Sequence, residues 1–238
     1  MNTDDVVRQV KSIHERERTL IASIGEDSAR ANSVLPGWTR GHVLSCRLAF
    51  LRAAHRQVRH AMTGSSVDFY DGGRPGREAE IAARAHEPAD RLVAELTRAT
   101  SALDETWSAL GPSDWDLPAN YREPCTLTSV LYGSWREAEI HCVDYDLGYS
   151  PNSWSPSFCA HLFEFLTPRI PAGIQVDLIA HEGGTWKLGT GEPVEIRGAL
   201  TDLAAWLSGR APQSPVESSS GELPTLQRLR GPEPLNRA

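Results

Sequence analysis

Glu137 and His141 lie four residues apart in the run Trp135-Arg136-Glu137-Ala138-Glu139-Ile140-His141-Cys142-Val143-Asp144. On a helix that spacing stacks them one turn apart on one face, where a carboxylate oxygen and an imidazole nitrogen can meet a single divalent ion. On a solvent-facing surface the same pair is an ordinary contact between neighbouring turns. The apolar Trp135, Ile140 and Val143 favour the metal reading, because a closely packed helix would bury a Glu and a His that then need a partner. Asp144, three residues beyond the histidine, is placed either to orient it from behind or simply to end the helix. A second run, Gly37-Trp38-Thr39-Arg40-Gly41-His42-Val43-Leu44-Ser45-Cys46, again sets two donors four apart, and His42 or Cys46 can supply a third ligand across a bundle. The plain alternative is a His42 that caps or packs at the helix start and a Cys46 that behaves as a small buried hydrophobe.

Positioning those donors requires long helices, and the periodicity supplies them. Val6, Val7, Val10, Ile13, Leu20, Ile21 and Ile24 predict an amphipathic helix over about residues 4–24. Leu35 to Trp38 breaks the pattern, and Thr39 is placed to cap a second helix running to about residue 63. Residues 64–76, with Gly72-Gly73 and Pro75-Gly76, read as a loop. A third helical stretch spans about residues 77–110, interrupted near Pro88. After a polar loop, a fourth helix covers about residues 126–146 and ends before Gly148. Four such helices predict an antiparallel bundle.

The period then changes. A short helix over about residues 157–166 precedes a strand at residues 174–181, a turn at Gly183-Gly184, strands at 186–188 and 194–196, and a last helix over residues 200–207. The expected fold class is therefore α+β. A helical domain takes residues 1–150 and a small α+β domain residues 155–238, joined by a linker at about 149–155, with an irregular strap from residue 212 to the end.

The 238 residues hold 24 Lys plus Arg against 31 Asp plus Glu, a formal charge of −7, with 40% hydrophobic side chains. That composition is globular, and the absence of a basic block argues against nucleic acid and against an anionic membrane face. No apolar run reaches the roughly 18 residues of a membrane span and the start is highly charged, so a cytoplasmic protein is expected. Cys46, Cys125, Cys142 and Cys159 are widely spaced and are expected as reduced thiols.

Three motifs together carry a resemblance: Gly-Trp-Thr-Arg-Gly-His-Val-Leu over residues 37–44, Arg136-Glu137-x-x-x-His141-x-Val143-Asp144, and Leu203-Ala204-Ala205-Trp206-Leu207-x-Gly209-Arg210. In this order and spacing the sequence resembles the mycothiol-dependent maleylpyruvate isomerase family of actinobacteria. The resemblance implies an N-terminal DinB-like four-helix bundle, a C-terminal α+β domain similar to sterol carrier protein folds, a zinc site and the thiol cofactor mycothiol. Glu137 and His141 match two family zinc ligands, and Arg210 matches the C-terminal arginine implicated in catalysis. Tyr70 and Arg77 match, across an insertion, a Tyr and an Arg that line the family's substrate cleft.

The third ligand does not carry over. Where the family has a histidine four residues after the Gly-His pair, this chain has Cys46, and His42 matches a family residue that is not a ligand. A thiolate in place of a neutral imidazole adds a negative charge and makes zinc, or another divalent metal, a poorer Lewis acid. Two other outcomes compete with ligation by Cys46: His42 takes its place, or the metal is lost.

The resemblance implies a mycothiol-dependent isomerase or thiol S-transferase acting on an electrophilic small molecule, as a monomer or dimer. In the family's parent chemistry the thiolate adds to the cis double bond of maleylpyruvate, rotation follows, and elimination gives fumarylpyruvate. Arg210 would hold the substrate carboxylate or the developing enolate. The alternative is a metal-free binding protein, or a non-thiol enzyme such as a cyclase, that kept the fold and lost the zinc site through Cys46.

Overall fold

Thr39 ends an extended approach and begins the longest helix of the protein. The computed structural model describes residues 2–121 and 124–228. The helices are α1 (Thr3–Ile21), α2 (Glu26–Arg30), α3 (Arg40–Met62), α4 (Gly73–Arg84), α5 (Ala89–Ala109), α6 (Leu127–Asp144), α7 (Pro156–Leu166) and α8 (Leu200–Ser208). The strands are β1 (Pro118–Asn120), β2 (Pro124–Thr126), β3 (Gly173–Ala180), β4 (Thr185–Gly189), β5 (Gly191–Gly198) and β6 (Glu217–Ser218). The fold is α+β, and the chain forms two compact units that meet in sequence between Gly148 and Tyr149.

In the first unit, α1 and α3 each pack on both α5 and α6, which makes the four-helix bundle. Asn2 starts α1 with a capping box, its Oδ1 accepting from the Asp5 amide at 2.8 Å, and Val6, Val10, Ile13 and Ile21 form the buried stripe. α3 is central: Val43, Leu44, Cys46, Leu48, Phe50 and Leu51 are all buried, so several of its faces are covered at once. A fully buried salt bridge ties three helices together. Arg47 of α3 donates through Nε and Nη2 to the two Glu17 oxygens of α1 at 2.8 and 2.9 Å, and the Tyr145 hydroxyl, just past α6, donates to Glu17 at 3.1 Å. Burial pushes the Glu17 carboxyl up, but the Arg47 guanidinium outweighs it and the carboxyl ends below its ordinary value.

The interruption expected near Pro88 is present: α4 and α5 are separated at residues 85–88, where the Pro88 ring cannot continue a helix. Two expectations in this unit are corrected. α4 begins at Gly73, inside the expected loop, since Gly72 takes a left-handed turn (φ 69°) just before it and Pro75 is tolerated in a first helical turn. The polar loop before α6 contains a 3-10 turn (Pro112–Asp116) and the short antiparallel ribbon β1–β2. The five-residue α2 was not anticipated, being too short to show a period.

The second unit is a mixed sheet, in the order β4-β3-β5-β6, with α7 and α8 packed on each other; α8 also lies on β3 and β5, and α7 on β4. Val176, Leu178 and Ala180 of β3, with Leu188 and Ile196, form its buried face. β4 runs antiparallel to β3 and β5 parallel to it on the other side, so a single residue, Thr190, carries the chain across the start of β3. That passage requires glycine. A Cβ on Gly191 (φ 137°) would lie 2.1 Å from the Gly173 carbonyl. Within the expected linker, Pro151–Ser153 forms a 3-10 turn that belongs to this unit. The expected strap contains β6, paired with Ile196 and Arg197 of β5, while its last part, residues 229–238, lies outside the described residues. Among the described residues no helix is long and apolar enough to cross a membrane.

Replacing Glu17 by Gln should cost about 3–5 kcal/mol of unfolding free energy, since it strands the Arg47 charge in the core. Urea unfolding followed by far-ultraviolet circular dichroism measures this, and a loss under about 1 kcal/mol would mean that the pair is not holding the three helices.

Candidate metal centre

Cys46 lies on α3, in the second turn after the Thr39 cap, and Glu137 and His141 lie one turn apart on α6. Because α3 packs directly on α6, one ligand atom from each of the three side chains falls within 4.8 Å of the others. Cys46 Sγ is 3.6 Å from His141 Nε2, and Glu137 Oε2 is 3.3 Å from the same nitrogen. Behind the ring, His141 Nδ1 is 2.8 Å from an Oδ of Asp144, whose side chain is fully buried. Asp144 thus orients the imidazole and also ends α6. With Nδ1 donating to Asp144, Nε2 is the nitrogen that would offer a lone pair to a cation between Cys46 and Glu137.

The electrostatics of the cluster are those of a site short of positive charge. Burial alone would lower the His141 pKa, but the Cys46 sulfur, Asp144 and Glu137 together raise it well above its ordinary value. Glu137 behaves conversely. Burial pushes its carboxyl up, yet His141, Arg77 and Arg47 bring it down to about 2. Glu137 Oε2 is buried and has no aligned hydrogen-bond donor. A soft sulfur, an imidazole and a carboxylate with an unsatisfied oxygen, converging from two helices, fit a four-coordinate divalent ion with one position left for an exogenous ligand.

Tyr70 and Arg77, expected from the resemblance to line a cleft, are brought to this same cluster. Arg77 Nη2 donates to Cys46 Sγ at 2.9 Å, and its guanidinium lies 5.5 Å from the centre of the Tyr70 ring. Tyr70 is buried against Phe69, and that burial, reinforced by Glu137, pushes its phenol well above its ordinary pKa, so it is a neutral donor. The contact between Arg77 and the sulfur was not expected. The two residues are 31 positions apart, and no spacing rule connects them.

His42 stands elsewhere. Its Nδ1 accepts from the Thr39 amide at 3.2 Å and pairs with the Thr39 hydroxyl at 2.8 Å, completing the capping box of α3, while its ring meets Trp38 and, edge to face, His86. The structure groups Cys46, and not His42, with Glu137 and His141, while His42 serves the helix start through Nδ1. Arg210 lies in the second unit, immediately after the left-handed Gly209 that ends α8. Its amide closes on the Ala205 carbonyl at 2.8 Å and its Nη1 donates to the Ser208 carbonyl at 2.8 Å.

A helical bundle presenting Cys, Glu and His donors around one point, with a carboxylate behind the histidine, defines a candidate divalent-metal protein. Residues 10–146, more than half of the chain, match the family model described as the mycothiol maleylpyruvate isomerase N-terminal domain, and the chain belongs to that family. Its fold is similar to the crystal structure of the mycothiol-dependent maleylpyruvate isomerase, with a TM-score of 0.87 at 19% identity, covering 96% of this chain and 98% of the other. A histidine-to-alanine mutant of that isomerase matches equally, with a TM-score of 0.87 at 19% identity and the same coverage. No protein of curated function matches the sequence.

The His42 cap has a pH signature. Burial, and then the facing His86, hold the His42 pKa below the ordinary 6.5. The unfolded chain therefore takes up this proton first as pH falls, and the cap's contribution is whole above pH 6.5 and declines as pH drops from there toward the folded-state value. Ring-proton NMR should give His42 a midpoint below 6.5, and a midpoint above it would mean that Nδ1 is not the acceptor for Thr39.

Proposed function

We propose that this protein is a metal-dependent enzyme that binds zinc or another divalent cation through Cys46, Glu137 and His141. In this reading it activates a low-molecular-weight thiol, mycothiol, for addition to an electrophilic small molecule in the cytoplasm, by isomerisation or S-transfer. The observation that carries the reading is the convergence of three ligand atoms from two packed helices within 4.8 Å. The family adds the cofactor, since its name joins mycothiol to maleylpyruvate isomerisation. A bound divalent cation supplies Lewis acidity that lowers the pKa of a thiol.

The chain's own residues do the rest. Asp144 fixes the tautomer and orientation of His141. Tyr70, kept neutral, offers a phenolic proton beside the site, and Arg77 places a permanent positive charge there. Together they border a position where negative charge on a thiol or an electrophile is favoured. Arg210 is the residue that the family resemblance assigns to the substrate, its planar guanidinium suiting a carboxylate or an enolate in two-point contact. Within its unit it is anchored to the Ser208 carbonyl, so its geometry also suits the humbler task of closing α8.

A second reading rests on the same atoms without metal. Cys46, His141 and Asp144 line up as sulfur, imidazole and carboxylate at 3.6 and 2.8 Å, the order of nucleophile, base and orienting group. This is the form in which a metal-free enzyme would use the site.

Elemental analysis of protein purified without chelator separates the two. Near-stoichiometric zinc that falls in Cys46→Ala and in Glu137→Gln supports the metal enzyme, and Cys46→His should then retain zinc and raise mycothiol-dependent maleylpyruvate isomerisation. A metal-free wild-type protein would transfer the proposal to the second reading. A folded, zinc-loaded Cys46→His variant with no gain would show that this residue alone did not divert the activity.

A further inference from the structure

The ligand sulfur has a dedicated donor. Cys46 is fully buried, so water does not reach it, and Arg77 Nη2 approaches its Sγ at 2.9 Å, closer than His141 does. The approach is built rather than incidental. Arg77 sits in the first part of α4, and the loop leading into that helix is clamped by Arg56, whose Nη2 donates to the Asp68 and Phe69 carbonyls at 2.6 and 2.7 Å. At the turn itself Gly72 is left-handed, and Gly76 passes so close that a Cβ on it would lie 1.9 Å from the Asp71 carbonyl oxygen. Tyr70, held by Phe69, supports the guanidinium through its ring face, and Phe69 in turn packs on Phe50 of α3 and on Tyr121. The arginine is therefore delivered to the sulfur by a cluster of tilted and edge-to-face rings anchored on the helix that carries the sulfur.

The charges show what this contact does. With a cation bound, Cys46 and Glu137 as anionic ligands and His141 as a neutral one would sum to −2, and the Arg77 guanidinium brings the cluster to −1. A hydrogen bond to a ligand sulfur draws electron density out of its lone pairs and so weakens the charge it donates to a bound cation. We propose that Arg77 is a positioning residue for the metal ligand Cys46, its guanidinium fixing the sulfur and offsetting the charge that a cysteine brings to this position, so that the two residues act as one unit. This rests on the reading that Cys46 ligates a metal, and it gives Arg77 a task other than holding substrate.

The test uses cobalt(II) alone, added to the metal-free full-length protein, with the near-ultraviolet sulfur-to-cobalt charge-transfer band as readout. Wild-type protein should show the band and Cys46→Ala should lose it. In Arg77→Met the band should move to longer wavelength, because a sulfur stripped of its donor is more easily oxidised, and Arg77→Lys, which keeps a charge but not the fork, should recover part of the shift. A band in folded Arg77→Met that superimposes on the wild type would overturn the proposal while leaving ligation by Cys46 standing. If Arg77→Met does not fold, an unshifted band in Arg77→Lys together with a raised KM for an electrophile would overturn it in favour of substrate binding. No sulfur band in the wild type would overturn both this and the metal reading.

Discussion

The buried ion pair between Arg47 and Glu17 sets the register on which the first unit depends. Arg47 follows Cys46 directly on α3, Tyr145 follows Asp144 at the end of α6, and both converge on one carboxylate of α1. Two charges removed from water in this way are stable only while their hydrogen bonds remain aligned, so α3 cannot slide or rotate against α1 and α6 without a large penalty. The donors Cys46, Glu137 and His141 inherit that alignment, since each is within about two turns of a residue in the lock. Arg47 also reaches the site electrically, because it helps to keep the Glu137 carboxyl ionised.

Core and site are thus one polar system with two ends. At the core end the charges are paired and closed. At the site end an oxygen of Glu137 lacks a donor, and three acidic groups crowd one imidazole. An arrangement of this kind is costly when left alone and favourable once a cation enters it, which is the usual physical mark of a binding site as opposed to a structural network.

Much of this was legible in the sequence. The apolar stripe of α1, the Thr39 cap and the span of α6 follow from periodicity and cap chemistry, and the spacing of Glu137 with His141 placed both on one face. The start of α4 was not legible, because Gly72, Gly73 and Pro75 read as breakers while their real role is to aim a helix. The three-residue β1 and β2 and the two-residue β6 are too short to carry an alternating pattern. Nor was the contact of Arg77 with the sulfur, which depends on the path of a tight turn and an aromatic cluster that no local rule encodes. Asp144 was visible as a position, but only the fold distinguishes a helix end from a partner of His141, and here it is both.

The end of α6 has one more effect. His141 lies in the last turn of that helix, where the peptide dipoles sum to a partial negative charge and the final carbonyls point outward. Arg40, at the start of the antiparallel α3, already answers that field by donating to the Tyr145 and Asp146 carbonyls. The backbone itself therefore makes the His141 side of the cluster cation-seeking before any side-chain charge is counted. On the Cys46 side the positive charge comes from a side chain, the Arg77 guanidinium, so the field across the cluster has a direction, set at one end by the helix backbone and at the other by an arginine.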